Sequence, residues 1–395
     1  MKLDRTALVL LIVWPKVAIA QTPSPSVSLG FGVDTAIADV RNIVSLVRTY
    51  LAKPDSSART NGLWTTTTDF DRKYGDIISG QVNQGFPATI VGIIPFSAGD
   101  SVYNVKILYA RYDSTDGIAP LSFERLLAVR ESGARFGFRL AGLFPRARRE
   151  WESRTRGPLT FWYVPGQRPD PAKIERASRF VDSVAKLFAI PVPRHLDVIV
   201  GKSVDDVNRA IGIDFFPESS GPGQRSGGMT FGNVILSGIP AIGEAYLHEF
   251  THAVLGPSLP VGSRIMGEGV ATWLGGSRGR TAQEMYALLR HYQESDSTLR
   301  LSTLLRNDFR LSDQDEGSNI LYGSSAMIVN AVYRRHGITG VRRLYQVRGD
   351  PDTIARAIAD SLGLPASDPD ALDKWWRREP LLVSHLSPPP SRLPQ

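Results

Sequence analysis

Residues 248–252 read His-Glu-Phe-Thr-His, and residues 265–273 read Ile-Met-Gly-Glu-Gly-Val-Ala-Thr-Trp. On a helix, positions i and i+4 lie on one face, so His248 and His252 can both reach a single cation. Glu249, one residue on, can touch a water at that cation without ligating the metal. The flanks support a helix that begins near Pro240, a residue suited to a first turn, and stops at Gly256-Pro257. Leu247, Phe250, Thr251, Val254 and Leu255 give it an opposite, core-facing side. Ala245, one turn before His248, leaves room on the metal side.

A catalytic zinc needs a third protein ligand and one open position. Glu268, sixteen residues past His252 at the start of a second helical pattern, supplies the third. The separation fits a turn followed by a helix packed antiparallel to the first. The chain has no Cys, so thiolate ligands, thiol nucleophiles and disulfides are excluded. Imidazole and carboxylate donors then point to zinc, one Zn2+ per chain, among the borderline divalent ions.

Two His with an intervening Glu, then Glu268 in a Gly-Glu-Gly-x-Ala-x-Trp setting, resembles the gluzincin zinc metallopeptidases of the peptidase-MA-like superfamily. The resemblance covers about residues 155–380. It implies a zincin-like α+β domain with a helical C-terminal subdomain. It also implies peptide-bond hydrolysis in which Glu249 takes a proton from water at the zinc, and a Tyr or His from the helical part that meets the oxyanion. Tyr322, in Asn319-Ile-Leu-Tyr-Gly-Ser-Ser-Ala326, is the candidate, with His336 as a second choice. Metzincins require a Gly three residues and a His six residues beyond the second motif His; Leu255 and Ser258 stand there. Several gluzincins carry an acidic residue four positions after the Glu ligand. Thr272 occupies that position, so no partner for a ligand His is identified.

Substrate backbone is expected to pair with an exposed strand edge. Met229–Leu236, just before the motif helix, reads as that strand, with Met229, Phe231 and Asn233 as substrate-binding candidates. Gly227-Gly-Met-Thr-Phe-Gly-Asn233 faintly resembles the Gly-Ala-Met-Glu-Asn signature of aminopeptidases. Thr230 replaces the Glu that grips an N-terminal amine there, which weakens an aminopeptidase specificity.

Upstream of the motif, apolar residues at Ile37, Val40, Ile43, Val44 and Val47 predict a helix over 36–51, and a weaker one is expected over 69–78. Runs at 88–96, 102–112, 122–129 and 134–143 read as four strands punctuated by turns. Helices followed by a four-stranded antiparallel sheet resemble the nuclear-transport-factor-2-like superfamily in layout, over residues 34–148. The second unit then offers a strand at 159–164, a helix at 171–189 opening on Pro171, a strand at 195–200 and a helix at 203–211. The fold class expected is α+β throughout. Domain limits are read as 34–148, 155–300 for the zincin-like part, and 301–383 for the helical part.

The first twenty residues pattern as a secretory signal: Lys2 and Arg5, the apolar stretch 6–14, and Ala18-Ile-Ala20 before a cleavage point. Residues 21–33 read as a linker and 384–395 as a Pro-rich tail. The chain is therefore expected to be exported, periplasmic or extracellular, without stable membrane insertion after cleavage. Its net charge of +7 comes from 46 basic and 39 acidic residues scattered along 395 positions. No basic stripe interleaved with aromatics appears, which argues against nucleic acid and leaves a peptide or protein substrate as the expected partner. Oligomeric state is not legible.

Two competing signals are weak. Gly275-Gly-Ser277-Arg-Gly279 matches a nucleophile-elbow pattern, but that elbow needs a strand before its Ser, and a helical pattern precedes it. The other reading of the whole chain is a non-catalytic binding or scaffold protein built on a zincin fold.

Overall fold

A computed structural model describes residues 27–52, 62–65, 87–96, 101–113, 117–215, 227–309, 311, 314–365 and 367–383. The expected signal segment, the helix over 69–78 and the Pro-rich tail lie outside them. The fold is α+β.

Residues 27–215 open on strands β1 (Val27–Leu29), β2 (Ala88–Pro95), β3 (Val102–Asp113), β4 (Gly117–Arg130) and β5 (Phe138–Ala141). β2 to β5 form the expected antiparallel meander. The four-stranded expectation is nevertheless too small: the sheet has six strands. β1, drawn from residues expected in a linker, pairs parallel to β2. A three-residue strand from far along the chain pairs with β4 at Phe123 and Glu124. Helix α1 (Ala38–Leu51) covers the sheet with Ile43, Leu46, Val47 and Leu51, all fully buried against Ile90, Val105, Ile107 and Leu126. Asp39 on α1 accepts hydrogen bonds from Tyr103 Oη (2.6 Å) and from Arg130, which pins the helix to β3 and β4.

The chain then builds a second sheet from β6 (Glu152–Arg156), β7 (Leu159–Tyr163) and β8 (Leu196–Val200). Between β7 and β8 runs α2 (Pro171–Leu187). Pro171 sits in its first turn, and the Asp170 carboxylate accepts from the Ala172 and Lys173 N–H groups, satisfying two of the donors a helix start leaves open. Helix α3 (Val204–Ile211) is capped by Ser203 and carries Asp205 and Asp206 in its first turn, where the helix dipole favours anions. It leads into β9 (Ile213–Phe215), the strand that joins β4. Ile199, Val207, Ile211 and Ile213 therefore share a core with the first sheet.

The run 229–236 is two strands, β10 (Gly228–Phe231) and β11 (Val234–Ser237), turned at Gly232-Asn233. Gly232 takes φ 59°, the left-handed backbone such a turn needs. The second sheet runs β10-β11-β8-β7-β6, so among the described residues β10 is an edge. Helices α4 (Leu247–Leu255), α5 (Arg264–Gly275), α6 (Ala282–Ser295), α7 (Leu301–Arg306), α8 (Gln314–Tyr345), α9 (Pro351–Ser361) and α10 (Ala371–Val383) follow among the described residues. One continuous apolar core joins α2, β7 and β8 to α4, α5, α6 and α8. α8 is broken at Gly337 (φ 60°).

Candidate metal centre

Helix α4 starts at Leu247, later than the Pro240 flank suggested. Gly243 adopts φ 54° and a short 3-10 turn over Gly243–Ala245 intervenes. Buried Glu244 anchors that approach by accepting from Tyr163 Oη (2.9 Å) and the Asp170 N–H (2.7 Å), which ties it to β7 and the start of α2. Phe250, Ala253, Val254 and Leu255 face the core. His248 and His252 emerge on the other side, as the period requires.

Glu268 lies on the first turns of α5, which packs beside α4. His248 Nε2 is 3.1 Å and His252 Nε2 is 3.7 Å from Glu268 Oε2, and the two Nε2 atoms are 3.3 Å apart. Tetrahedral zinc with bonds of about 2.0–2.2 Å to such donors sets its ligand atoms roughly 3.3 Å from one another. The three donors therefore fit zinc in both kind and spacing.

The tautomer also fits. His248 Nδ1 lies 2.7 Å from the Gly276 carbonyl oxygen, which can only accept. In the neutral ring the proton is thus on Nδ1, which leaves the Nε2 lone pair for a metal. This carbonyl meets His248 where the sequence identified no partner, while Thr272 is buried inside α5 with no hydrogen-bond partner for its hydroxyl among the described residues. The carbonyl reaches His248 because the end of α5 crosses the start of α4 at glycine: a Cβ on Gly275 would sit 2.4 Å from the His248 backbone nitrogen.

Electrostatics concentrate here. Burial pushes the Glu268 carboxyl up, but the His248 and His252 rings, in their protonated form, outweigh it through hydrogen bonds and charge and hold the group well below the ordinary carboxylate range. Burial pushes the His248 imidazole down, and the Glu268 hydrogen bond and charge, with Glu249, leave it above its usual value. Both effects describe a carboxylate and imidazoles pressed together around a common point.

The three donors open on a cleft of about 720 Å³. Glu249 lines it, 7% exposed, and Thr230 Oγ1 on edge strand β10 lies 2.8 Å from its Oε2 and 2.9 Å from its carbonyl oxygen. Tyr322 lines the cleft from α8, its ring 5.6 Å from the His248 ring at an 80° angle. α8 comes this close because Gly269 faces it; a Cβ there would lie 2.7 Å from the Ser325 carbonyl oxygen. Burial, then the Glu268 charge, pushes the Tyr322 phenol above its ordinary value. Tyr345 borders the same cleft, its phenol pushed up to about 12 by burial and Glu268.

Of the substrate candidates, Met229 lines the cleft and Phe231 and Asn233 do not. Phe231 packs partly buried against the first core, and Asn233 sits in the β10–β11 turn, where its carbonyl accepts from the Asp197 N–H. Thr230, between them, points at Glu249 instead. His336 is bonded to the Ser361 carbonyl (2.8 Å), which occupies it in packing at the α8 break. Ser277 follows helix α5 rather than a strand, in a tight turn closed by reciprocal backbone hydrogen bonds with Arg280.

No family model matches this chain, and no curated protein matches it significantly. Among solved structures, a mutant of a two-domain M1 zinc metallopeptidase bound to L-tryptophan aligns over 78% of this chain and 66% of its own, at 13% identity and a TM-score of 0.34. A second, bound to L-arginine, gives the same coverages at 12% identity and 0.35. The chain spans about two thirds of the length of those structures. The likeness is too loose to transfer a reaction or a residue's role. Among the described residues, no helix is long and apolar enough to cross a membrane.

Proposed function

We propose that this chain is a zinc-dependent metallopeptidase. The observation that carries the reading is the convergence of His248 Nε2, His252 Nε2 and Glu268 Oε2 within 4.8 Å of one another, beside a separate carboxylate, Glu249, in the same cleft. Two imidazoles and one carboxylate that face a cleft form the donor set of catalytic rather than structural zinc.

A zinc ion held by these residues would supply a Lewis acid and a lowered water pKa. Glu249 accepts the proton that the attacking water loses and returns it to the leaving amine. Thr230 donates to Glu249 Oε2 and fixes which carboxylate oxygen faces the cleft. The Gly276 carbonyl holds His248 in its ligating tautomer. Tyr322, kept protonated by its burial, donates to the oxygen that gains negative charge. The outer edge of β10, carrying Met229, offers backbone groups to an extended peptide. The signal-like pattern of residues 1–20 supports export, with the site working outside the cytoplasm.

The test is hydrolysis of a broad fluorogenic peptide library by zinc-loaded wild type and Glu249→Gln. Cleavage by the wild type that falls roughly 100-fold or more in the variant supports the reading. Equal rates in the two proteins, or no cleavage by the wild type, would sink it.

A further inference from the structure

His248 belongs to two cavities. The second, of about 310 Å³, lies between the starts of α2 and α4 and the turn that follows α5. Part of its wall is apolar, from Ala245, Leu247 and Leu274. Its charged lining is of one sign: Lys173, Arg176, Arg278 and Arg280, with no Asp or Glu among the lining residues. Lys173 Nζ is engaged by the Pro240 and Ala241 carbonyls. Arg278 touches Asp315, a half-exposed carboxylate outside the lining, at 3.3 Å.

Two donors of residues that line it have no acceptor among the described residues. The Arg176 Nε–H and the indole N–H of Trp273 are buried without a hydrogen-bond partner, and Trp273, which lines the cavity, is 1% exposed. Buried donors are ordinarily paired, so residues of this cavity's wall carry unmade hydrogen bonds beside its cationic lining. The nine-residue helix α4 also begins here without a side-chain cap, so the positive end of its dipole adds to the cationic field. Arg278 is held at φ 52°, a left-handed backbone costly for a residue with a Cβ. From there its guanidinium lies 5.8 Å from the ring of Tyr322, a residue that lines the metal cleft.

We infer that this cavity is a specificity subsite that takes a carboxylate of the peptide substrate, gripped by Arg176 and Arg278. Guanidinium forks match carboxylates in a bidentate manner. The apolar walls suit the carbon chain that bears the acid group, which a bare inorganic anion lacks. The carboxylate can come from an Asp or Glu side chain or from a peptide C-terminus. This inference rests on the peptidase reading for what carries the acid group, though not for the cavity's charge.

The experiment is calorimetry on zinc-loaded Glu249→Gln, full length, with three acetylated tripeptides: Gly-Gly-Gln amide, Gly-Gly-Gln with a free C-terminus, and Gly-Gly-Glu amide. One or both acidic peptides should bind roughly tenfold or more tighter than the neutral one. The arm that does so identifies the source of the carboxylate. Adding Arg278→Gly, whose backbone suits glycine better than arginine, should remove most of that advantage without harming the fold. Arg176→Gln, on an ordinary helical backbone, should do the same. Equal affinity for all three peptides, or an advantage that survives both substitutions, overturns the subsite. Peptide cleavage by the wild type without acidic preference would remove the subsite alone. Acidic preference in binding, with no cleavage of any peptide, would remove the peptidase reading and leave the subsite.

Discussion

Thr230 Oγ1 stands 2.8 Å from Glu249 Oε2, across the gap between edge strand β10 and helix α4. One hydroxyl hydrogen, shared with the Glu249 carbonyl oxygen at 2.9 Å, thereby holds the carboxylate beside the three convergent donors. Thr230→Val keeps the shape and removes the donor. Its kcat should fall roughly tenfold or more, because a base misplaced by a fraction of an ångström loses its alignment. Zinc content should not change, and Thr230→Ser should restore most of the rate. Steady-state kinetics beside metal analysis checks this; a Val variant with wild-type kcat would show that the hydroxyl does not hold the base.

Tyr322 reaches the cleft from α8 with its phenol pushed above the usual value, first by burial and then by the Glu268 charge. A raised phenol pKa means the O–H persists, and donates, through pH 10. Removing that donor with Tyr322→Phe should lower kcat by roughly 100-fold, with KM and zinc content little altered. The wild-type pH profile should show no loss of rate from Tyr322 ionisation below pH 10. A Phe variant that matches the wild type would assign Tyr322 to packing.

Glu124 is fully buried in β4, where Ser122 donates to its Oε1 (2.9 Å) and its Oε2 has no partner among the described residues. Burial raises its pKa from 4.5 to about 7, against the Ser122 hydrogen bond. The folded state thus holds this proton more tightly than the unfolded state. Stability from this group is fully present below pH 4.5, drains away as pH rises towards 7, and stays lost above it. At about 1.4 kcal/mol per pH unit, the ionised carboxylate costs roughly 3 kcal/mol at pH 8. Glu124→Gln should therefore gain stability over the wild type as pH rises from 5 to 8. Urea unfolding of both proteins at each pH measures the difference, and groups common to both cancel. A difference that does not change with pH would refute the buried-charge account.

The sequence exposed the centre of the site better than its surroundings, for a physical reason. His248, Glu249 and His252 are related by helical period alone, a local geometry that any helix imposes. Glu268 needed only a turn and a second helix. The Gly276 carbonyl and the Thr230 hydroxyl instead reach the site through contacts between segments 19 to 28 residues apart, which no period encodes. Alternation along β10 was the available signal for Thr230: it puts Met229 and Phe231 on one face and Thr230 on the other. Apolar residues throughout 234–236 hid the turn at Gly232-Asn233. Strands β1 and β9 are three residues each, too short for a pattern, and β9 is defined by the partner strand it meets. The late start of α4 follows from the positive φ of Gly243, which overrides the helix-start signal of Pro240.

Metal content of the purified full-length chain after zinc addition tests the central claim most directly, measured by mass spectrometry for wild type, His248→Ala and Glu249→Gln. The account predicts one zinc per chain in the wild type, none in the His248 variant and one in the Glu249 variant, since Glu249 is outside the ligand set. A wild type that takes up no zinc, or a His248 variant that keeps it, would contradict the account.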